Sequence, residues 1–180
     1  MNLSGCCRLV NVGGLGNVQK LDISSCRLIT DIKGFGNNYE LNLSDNKNID
    51  DISHLDRVKI INLSNCVKIR NVHVLKNALS VNLSGCILVN NVSSLSGVRI
   101  LNLSGCIKIQ NVSMLGDVYD LNLSDCNISD VRNLGNVNRL NISNCPRISN
   151  IGSLINNSEL ILTYNRMSHL IKTITTPMKY

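Results

Sequence analysis

The sequence predicts an α/β-class repeat fold: a solenoid with a single curved parallel β-sheet on its concave side, turns and short 3₁₀ segments on its convex side, and little or no α-helix. Three observations predict it. Near-identical units begin at Leu21, Leu41, Ile61, Val81, Leu101, Leu121, Leu140 and Leu160, twenty residues apart except for the nineteen-residue unit at Leu121, and a truncated unit starts at Met1. A fixed period of this size marks stacked units that share one continuous core. Each unit opens with a polar–apolar alternation, the period-two signature of a strand with one buried face. Aromatic residues are only 3% of the chain, with Phe35 the single Phe and no Trp, whereas apolar residues reach 43%, so the core must be aliphatic and regular. At 180 residues the chain is one domain: about nine units over residues 1–174, uncapped at the N-terminus, and a frayed tail at 175–180.

Taking the unit around residues 118–137 in order, Asp120-Leu121-Asn122-Leu123-Ser124 is the strand, with Leu121 and Leu123 directed inward. Cys126, Ile128, Val131, Leu134 and Val137 follow at spacings near three. A helix has that spacing too, but the segment is short, rich in Asn, Ser and Gly, and must turn twice within one unit. Tight turns and a short 3₁₀ piece fit where a full α-helix does not. Stacked strands lie side by side in parallel about 4.8 Å apart, so nine coils make a sheet roughly 40 Å long. No single coil encloses its own core, and stability must come from its neighbours.

The pattern Val118-x-x-Leu121-x-Leu123-x-x-Cys126-x-Ile128 resembles the leucine-rich repeat, L-x-x-L-x-L-x-x-N/C-x-L, and it recurs in register along almost the whole chain. Most units add one residue after the Cys, as in Cys106-Ile107-Lys108-Ile109, which resembles the Cys-bearing variant. The continuation at residues 127–137 is similar to the short, non-helical repeats of bacterial internalins and of the phosphatase-regulator class. The Asn-rich wording is similar to the leucine-rich-repeat gene families of large DNA viruses. The resemblance implies a ligand surface on the outward strand positions and a non-catalytic protein–protein interaction scaffold.

Cys6, Cys26, Cys66, Cys86, Cys106, Cys126 and Cys145 share one position of successive units, which Asn46 and Asn165 occupy elsewhere. A slot that takes either Cys or Asn, at the turn leaving the strand, fits a small inward side chain that bonds backbone groups the turn leaves unpaired. Disulfides and zinc are the rival readings. Parallel inward Cβ vectors make poor bridge geometry, and a straight ladder does not surround one point with four ligands. His54 and His73, on adjacent units, lack a third ligand, so no metal or cofactor is expected. Cys7 has no assigned role.

Among the outward columns, Asp22, Asn42, Asn62, Asn82, Asn102, Asn122 and Asn141 form one that is nearly constant, with Ser24 to Ser143 the next, and a hydrogen-bonded Asn ladder along the sheet is expected there. Variation is concentrated just before and at the start of the strand. The candidate partner-binding residues are Lys20, Tyr39, Glu40, Lys59, Ile60, Arg99, Ile100, Tyr119, Asp120 and Arg139. Tyr and Arg on a rigid surface are what an interface uses as anchors; drift on a solvated surface leaves the same mosaic.

After the Cys, Arg8, Arg27, Lys47, Lys68, Lys108 and Arg147 alternate with Val67, Ile87, Leu88 and Ile107. The basic series is interrupted and offers bases few rings to stack on, which disfavours nucleic acid; the apolar ridge suits a protein contact if it is not packed under the rim. The net charge of +6 is spread without a basic block. No phosphate loop, nucleophile elbow or catalytic Ser–His–acid spacing is present, so no catalytic residue is assigned. The start lacks a secretory pattern and no stretch nears the ~20 apolar residues of a spanning helix, so a cytoplasmic chain without membrane contact is expected. The Asn-x-Ser triplets at Asn42 to Asn141 agree, because secretion would expose the strands to glycosylation. Met1 enters directly at a strand, which predicts an open edge suited to end-to-end self-association. The alternative to a scaffold is a structural or decaying repeat product with no specific ligand. Toward the end, Ile161 breaks the Asn column as part of a rudimentary cap.

Overall fold

The computed structural model of the chain describes residues 1–10 and 12–163. Eight units each supply one three-residue strand: β1 (Lys20–Asp22), β2 (Glu40–Asn42), β3 (Ile60–Asn62), β4 (Ser80–Asn82), β5 (Ile100–Asn102), β6 (Asp120–Asn122), β7 (Arg139–Asn141) and β8 (Glu159–Ile161). They form one open parallel sheet in sequence order. Equivalent residues pair throughout, as in Leu101↔Leu121 and Asn102↔Asn122. The truncated first unit contributes only the bridge Asn2↔Asp22.

The register follows from burial. Within each strand the central residue is the inward one, and Leu21, Leu41, Ile61, Val81, Leu101, Leu121 and Leu140 are all buried, while both flanking residues face out. A slip by one residue would turn that aliphatic row to solvent. Every member of the apolar set read at residues 118–137 is buried, from Val118 through Cys126 to Val137, so the spacing near three in the second half of the unit does mark an inward face without an α-helix. Each such side chain adds roughly 1.5–3 kcal/mol of burial before conformational entropy is set against it.

The return path is built from 3₁₀ segments at Gly13–Leu15, Lys33–Phe35, His73–Asn77, Ser93–Leu95, Ser113–Leu115, Arg132–Leu134 and Gly152–Leu154. In the remaining coil the Leu55 N–H still bonds the Ile52 carbonyl at 3.0 Å, as Phe35 does to Ile32, so the turn survives without a full 3₁₀ helix. From Lys33–Phe35 onward each segment, and the coil at Leu55, is opened by an Asx residue. The Asn91 and Asn111 side-chain oxygens accept the N–H groups of Ser93 and Ser113 at 3.0 and 2.9 Å, and Asp31, Asp51, Asn71, Asp130 and Asn150 do the same two residues on. In the nineteen-residue unit the missing position is the turn after the Cys: Ile109 bonds back to Cys106 at 3.0 Å, whereas residues 127–130 carry no turn, and Ile128 still reaches the core.

Three expectations need correction or limits. The constant Asn column makes its regular bond locally: the side-chain oxygens of Asn42, Asn62, Asn82, Asn102, Asn122 and Asn141 accept the N–H two residues ahead at 3.0–3.1 Å. The backbone turns immediately after the strand, and its amide is a nearer donor than the next coil's Asn. Cys6 is exposed, unlike the rest of its column, because no described coil lies over it. The expected cap, Asn165, and the remainder of the solenoid and tail beyond residue 163 lie outside the described residues. Among the described residues no helix is long and apolar enough to cross a membrane.

Candidate functional site

The inward face first decides what is available for chemistry. The thiols of Cys66, Cys86, Cys106, Cys126 and Cys145 each donate to the carbonyl of a strand-end Leu in the preceding coil, at 3.1 Å in every case, and Cys26 does so to Leu3 at 3.2 Å. Asn46 uses its amide nitrogen for the same purpose, bonding the Ile23 and Leu43 carbonyls at 2.8 and 3.0 Å. All the cysteines are free. Burial pushes the thiols of Cys66, Cys86 and Cys126 up to about 12. They therefore remain protonated, and the nucleophilic or metal-binding thiolate is not formed near neutral pH. Among the described residues no three His, Cys, Asp or Glu side chains are grouped to hold a metal ion. His54 and His73 are exposed on the return path. A cleft of about 580 Å³ beside His73, lined also by Asp50, Asp51, Asp56 and Lys76, contains none of the ten candidate residues.

Those ten residues share the outward face of the sheet. The positions just before the strands are joined coil to coil by main-chain bonds: Lys59 to Tyr39 at 3.0 Å, Leu79 to Lys59 at 2.8 Å, Arg99 to Leu79 and Tyr119 to Arg99 at 3.1 Å. Their side chains are thus spaced at the strand interval, about 4.8 Å per coil. Next to them the strand registers place Glu40, Ile60, Ser80, Ile100, Asp120 and Arg139 in a second row.

Ion pairs stand at the two ends of these rows, and the stretch between them mixes apolar side chains with two cations, Lys59 and Arg99. At one end Lys20 and Glu40 are paired at 2.9 Å. At the other, Arg139 bridges Asp120 at 3.2 Å and Glu159 at 2.8 Å across three strands. The Glu159 hydrogen bond, then the nearby carboxylate charges, hold the Arg139 guanidinium above its ordinary range. Such exposed pairs contribute little stability; the Lys20–Glu40 pair is neutral, whereas Arg139 with its two carboxylates leaves one net negative charge. Between them, Tyr39, Leu79, Ile100 and Tyr119 are exposed, with Leu79 the most open at 51%, and Ile60 is half-buried beside them. The guanidinium of Arg99 lies over the Tyr119 ring, 4.9 Å from its centroid, a distance at which the ring face attracts a cation. The Lys59 ammonium donates to the Asn77 carbonyl at 3.2 Å.

The geometry thus brings all ten predicted residues onto one face, but not in one role. Lys20, Glu40, Asp120 and Arg139 belong to ion pairs; Tyr39, Ile60, Ile100 and Tyr119 belong to the apolar centre; Lys59 and Arg99 are cations within that centre, on the Asn77 carbonyl and the Tyr119 ring. Two participants were missed. Leu79 is the centre of the apolar row and Glu159 completes the Arg139 network. Both were legible as members of their columns at the twenty-residue interval, since a residue one period away is a cross-strand neighbour.

Comparison with solved structures finds the same architecture elsewhere. The chain is similar to internalin C2 of Listeria monocytogenes, with 22% identity and a TM-score of 0.62 over 84% of this chain and 74% of that one. It is also similar to TLR13 in its complex with ssRNA13, with 20% identity and a TM-score of 0.56 over 82% of this chain. It spans only 25% of the TLR13 chain. No family model matches the chain, and no curated protein matches it. At these identities the likeness is one of fold.

Proposed function

We propose, from the leucine-rich-repeat fold of this chain, that it is a non-catalytic scaffold that binds a partner protein on the concave, outward face of its sheet. The observation that carries this reading is the group Tyr39, Ile60, Leu79, Ile100 and Tyr119, exposed but for the half-buried Ile60, interspersed with Lys59 and Arg99 and flanked by ion pairs at either end. Interfaces are enriched in Tyr and Arg anchors among apolar side chains, and here Arg99 stacks on Tyr119; Lys59 departs from that pattern, its ammonium bonded to the Asn77 carbonyl. The strands that present this row are tied through continuous backbone bonding, so the face is pre-organised and binding orders little beyond side chains.

A protein suits the row better than a nucleic acid. The solved TLR13 complex holds ssRNA13, but here Tyr39 and Tyr119 lie four coils apart, roughly 19 Å at the strand interval, which leaves successive bases no adjacent rings. A binding role also agrees with the inward thiols, which are committed to backbone carbonyls and held protonated.

Affinity capture with the whole chain, compared with the same chain carrying Tyr39→Ala, Leu79→Ala, Ile100→Ala and Tyr119→Ala, tests the site. The variant is expected to retain the far-ultraviolet circular dichroism of the parent and to lose the captured partner. Recovery of the same partner in equal amount by both would remove the concave face from consideration.

A further inference from the structure

A second surface lies at the corner where each coil leaves its strand. There the residue before the Cys is held at positive φ, as at Asn65 (60°) and Gly105 (69°), and the chain reverses immediately after it. Except in the nineteen-residue unit, where Ile128 enters the core, the reversal carries the two residues that follow the Cys position outward, in a line along the solenoid. Arg27, Lys47, Lys68, Lys108 and Arg147 stand on this line and are all exposed. Among the described residues the ion pairs are made by Lys20, Arg132 and Arg139, so none of these five cations is neutralised by a carboxylate; Lys68 instead donates to the Asn48 side chain at 3.1 Å. The two acids at the positive-φ position of this corner, Asp45 and Asp125, accept hydrogen bonds from the Asn65 and Asn144 amides at 3.0 Å. The same line carries Leu28, Ile87 and Ile107, with 53, 41 and 52% of their surface open. The ridge is therefore not packed under the rim.

We propose, against the sequence expectation of no membrane contact, which rested on the lack of a spanning segment, that this crest is a peripheral membrane-contact surface that recognises an anionic bilayer. Three features favour a bilayer over other acidic partners. The line is charged and aliphatic together: at its middle Ile87 and Ile107 are flanked by Lys68 and Lys108. Cations there meet lipid headgroups while the aliphatic tips enter the interface, and long Lys and Arg stems allow both at once. A phosphate backbone would satisfy the cations but leave the aliphatic side chains in water. A protein partner would be expected to draw on aromatic anchors, and the exposed tyrosines among the described residues, Tyr39 and Tyr119, are on the sheet face instead. Finally, the cations stand in five of the seven coils from Cys26 to Cys145, spread along the solenoid, which matches a surface of many equivalent charges and not a single anionic group.

Each basic residue close to an anionic leaflet strengthens association by roughly fivefold. Co-sedimentation of the whole chain with vesicles of phosphatidylcholine alone, and of phosphatidylcholine mixed with phosphatidylserine, tests the proposal. Binding is expected only to the mixed vesicles, weakening as salt is added. Lys68→Gln with Lys108→Gln is expected to weaken it roughly 25-fold, and Ile87→Ser with Ile107→Ser to weaken it at unchanged net charge. All four positions are exposed, and circular dichroism of each variant checks that the fold persists. Absence of binding to mixed vesicles, equal binding to neutral ones, or binding insensitive to the Lys substitutions would overturn the proposal. So would indifference to the Ile substitutions, which would assign the crest to soluble polyanions. Because the crest and the sheet face share no residue, loss of the protein partner in the concave-face variant leaves this result untouched.

Discussion

At the level of single residues, the inward Cys column shows why a thiol suits this slot better than the amide of Asn46. Asn46 makes two hydrogen bonds through its nitrogen, yet its side-chain oxygen is buried without a partner. A cysteine presents one donor to one carbonyl and leaves no strong acceptor stranded. Removing the orphaned oxygen outweighs the loss of one neutral hydrogen bond, so Asn46→Cys is expected to stabilise the chain by about 1 kcal/mol, measurable by urea denaturation. A destabilised variant would mean that the second bond of Asn46 matters more than its orphan. Burial of these thiols also sets a pH dependence. Their folded pKa values are raised, to about 12 for Cys66, Cys86 and Cys126 and about 11 for Cys145, so the folded chain keeps protons that the unfolded chain releases near its ordinary thiol pKa of about 8.5. The stabilisation is complete below that value and is lost as pH climbs toward the folded values. Unfolding free energy should therefore be insensitive to these groups at pH 7 and decline steadily above pH ~9. Replacing Cys86 and Cys106 by Ser should flatten the decline; an unchanged slope would trace it to other groups.

One level up, the repeating element is a strand closed by a left-handed residue. Gly5, Ser25, Asp45, Asn65, Gly85, Gly105, Asp125 and Asn144 all have φ between 55° and 71°. Asn, Asp and Gly tolerate this region, whereas a β-branched side chain is strained there by roughly 1–2 kcal/mol. Asn65→Val is accordingly expected to lower stability by about that amount, while Asn65→Gly stays near the parent in the same denaturation assay. If both lose equally, the bond from Asn65 to Asp45, not the backbone, governs the position. This column was not legible in the sequence, because its members share a permitted backbone angle and no chemistry. The strand and its inward Leu were legible, since alternation reports burial directly. The Asn column was half legible: its outward direction followed from alternation, but the choice between a cross-strand ladder and a local turn depends on where the backbone amides point. At the candidate site the rows at the twenty-residue interval put all ten residues on one face. Their division into ion pairs and an apolar centre required side-chain conformations, which spacing does not contain.

For the whole molecule, stability is a sum over neighbours, and position along the solenoid decides what one side chain is worth. Leu103 is fully buried, with a complete coil on either side. Leu3 has the same place in the first coil, but it is only partly buried, and a single bridge, Asn2 with Asp22, joins that coil's strand to the sheet. Truncating a side chain in a closed core removes its transfer energy and leaves a cavity that neighbouring coils, locked in register, relax into poorly. Leu103→Ala should therefore lose about 2–5 kcal/mol and bring the unfolding midpoint down for the whole array. Leu3→Ala disturbs one interface and a site already open to water, so its loss should be a minor fraction of that. Hydrogen exchange separates the two cases further: Leu103→Ala should raise exchange in the coils on both sides, whereas Leu3→Ala should raise it only toward β1. In a one-dimensional stack free energy is transmitted through shared interfaces. Equal losses at the two positions would instead require long-range cooperativity between coils that do not touch.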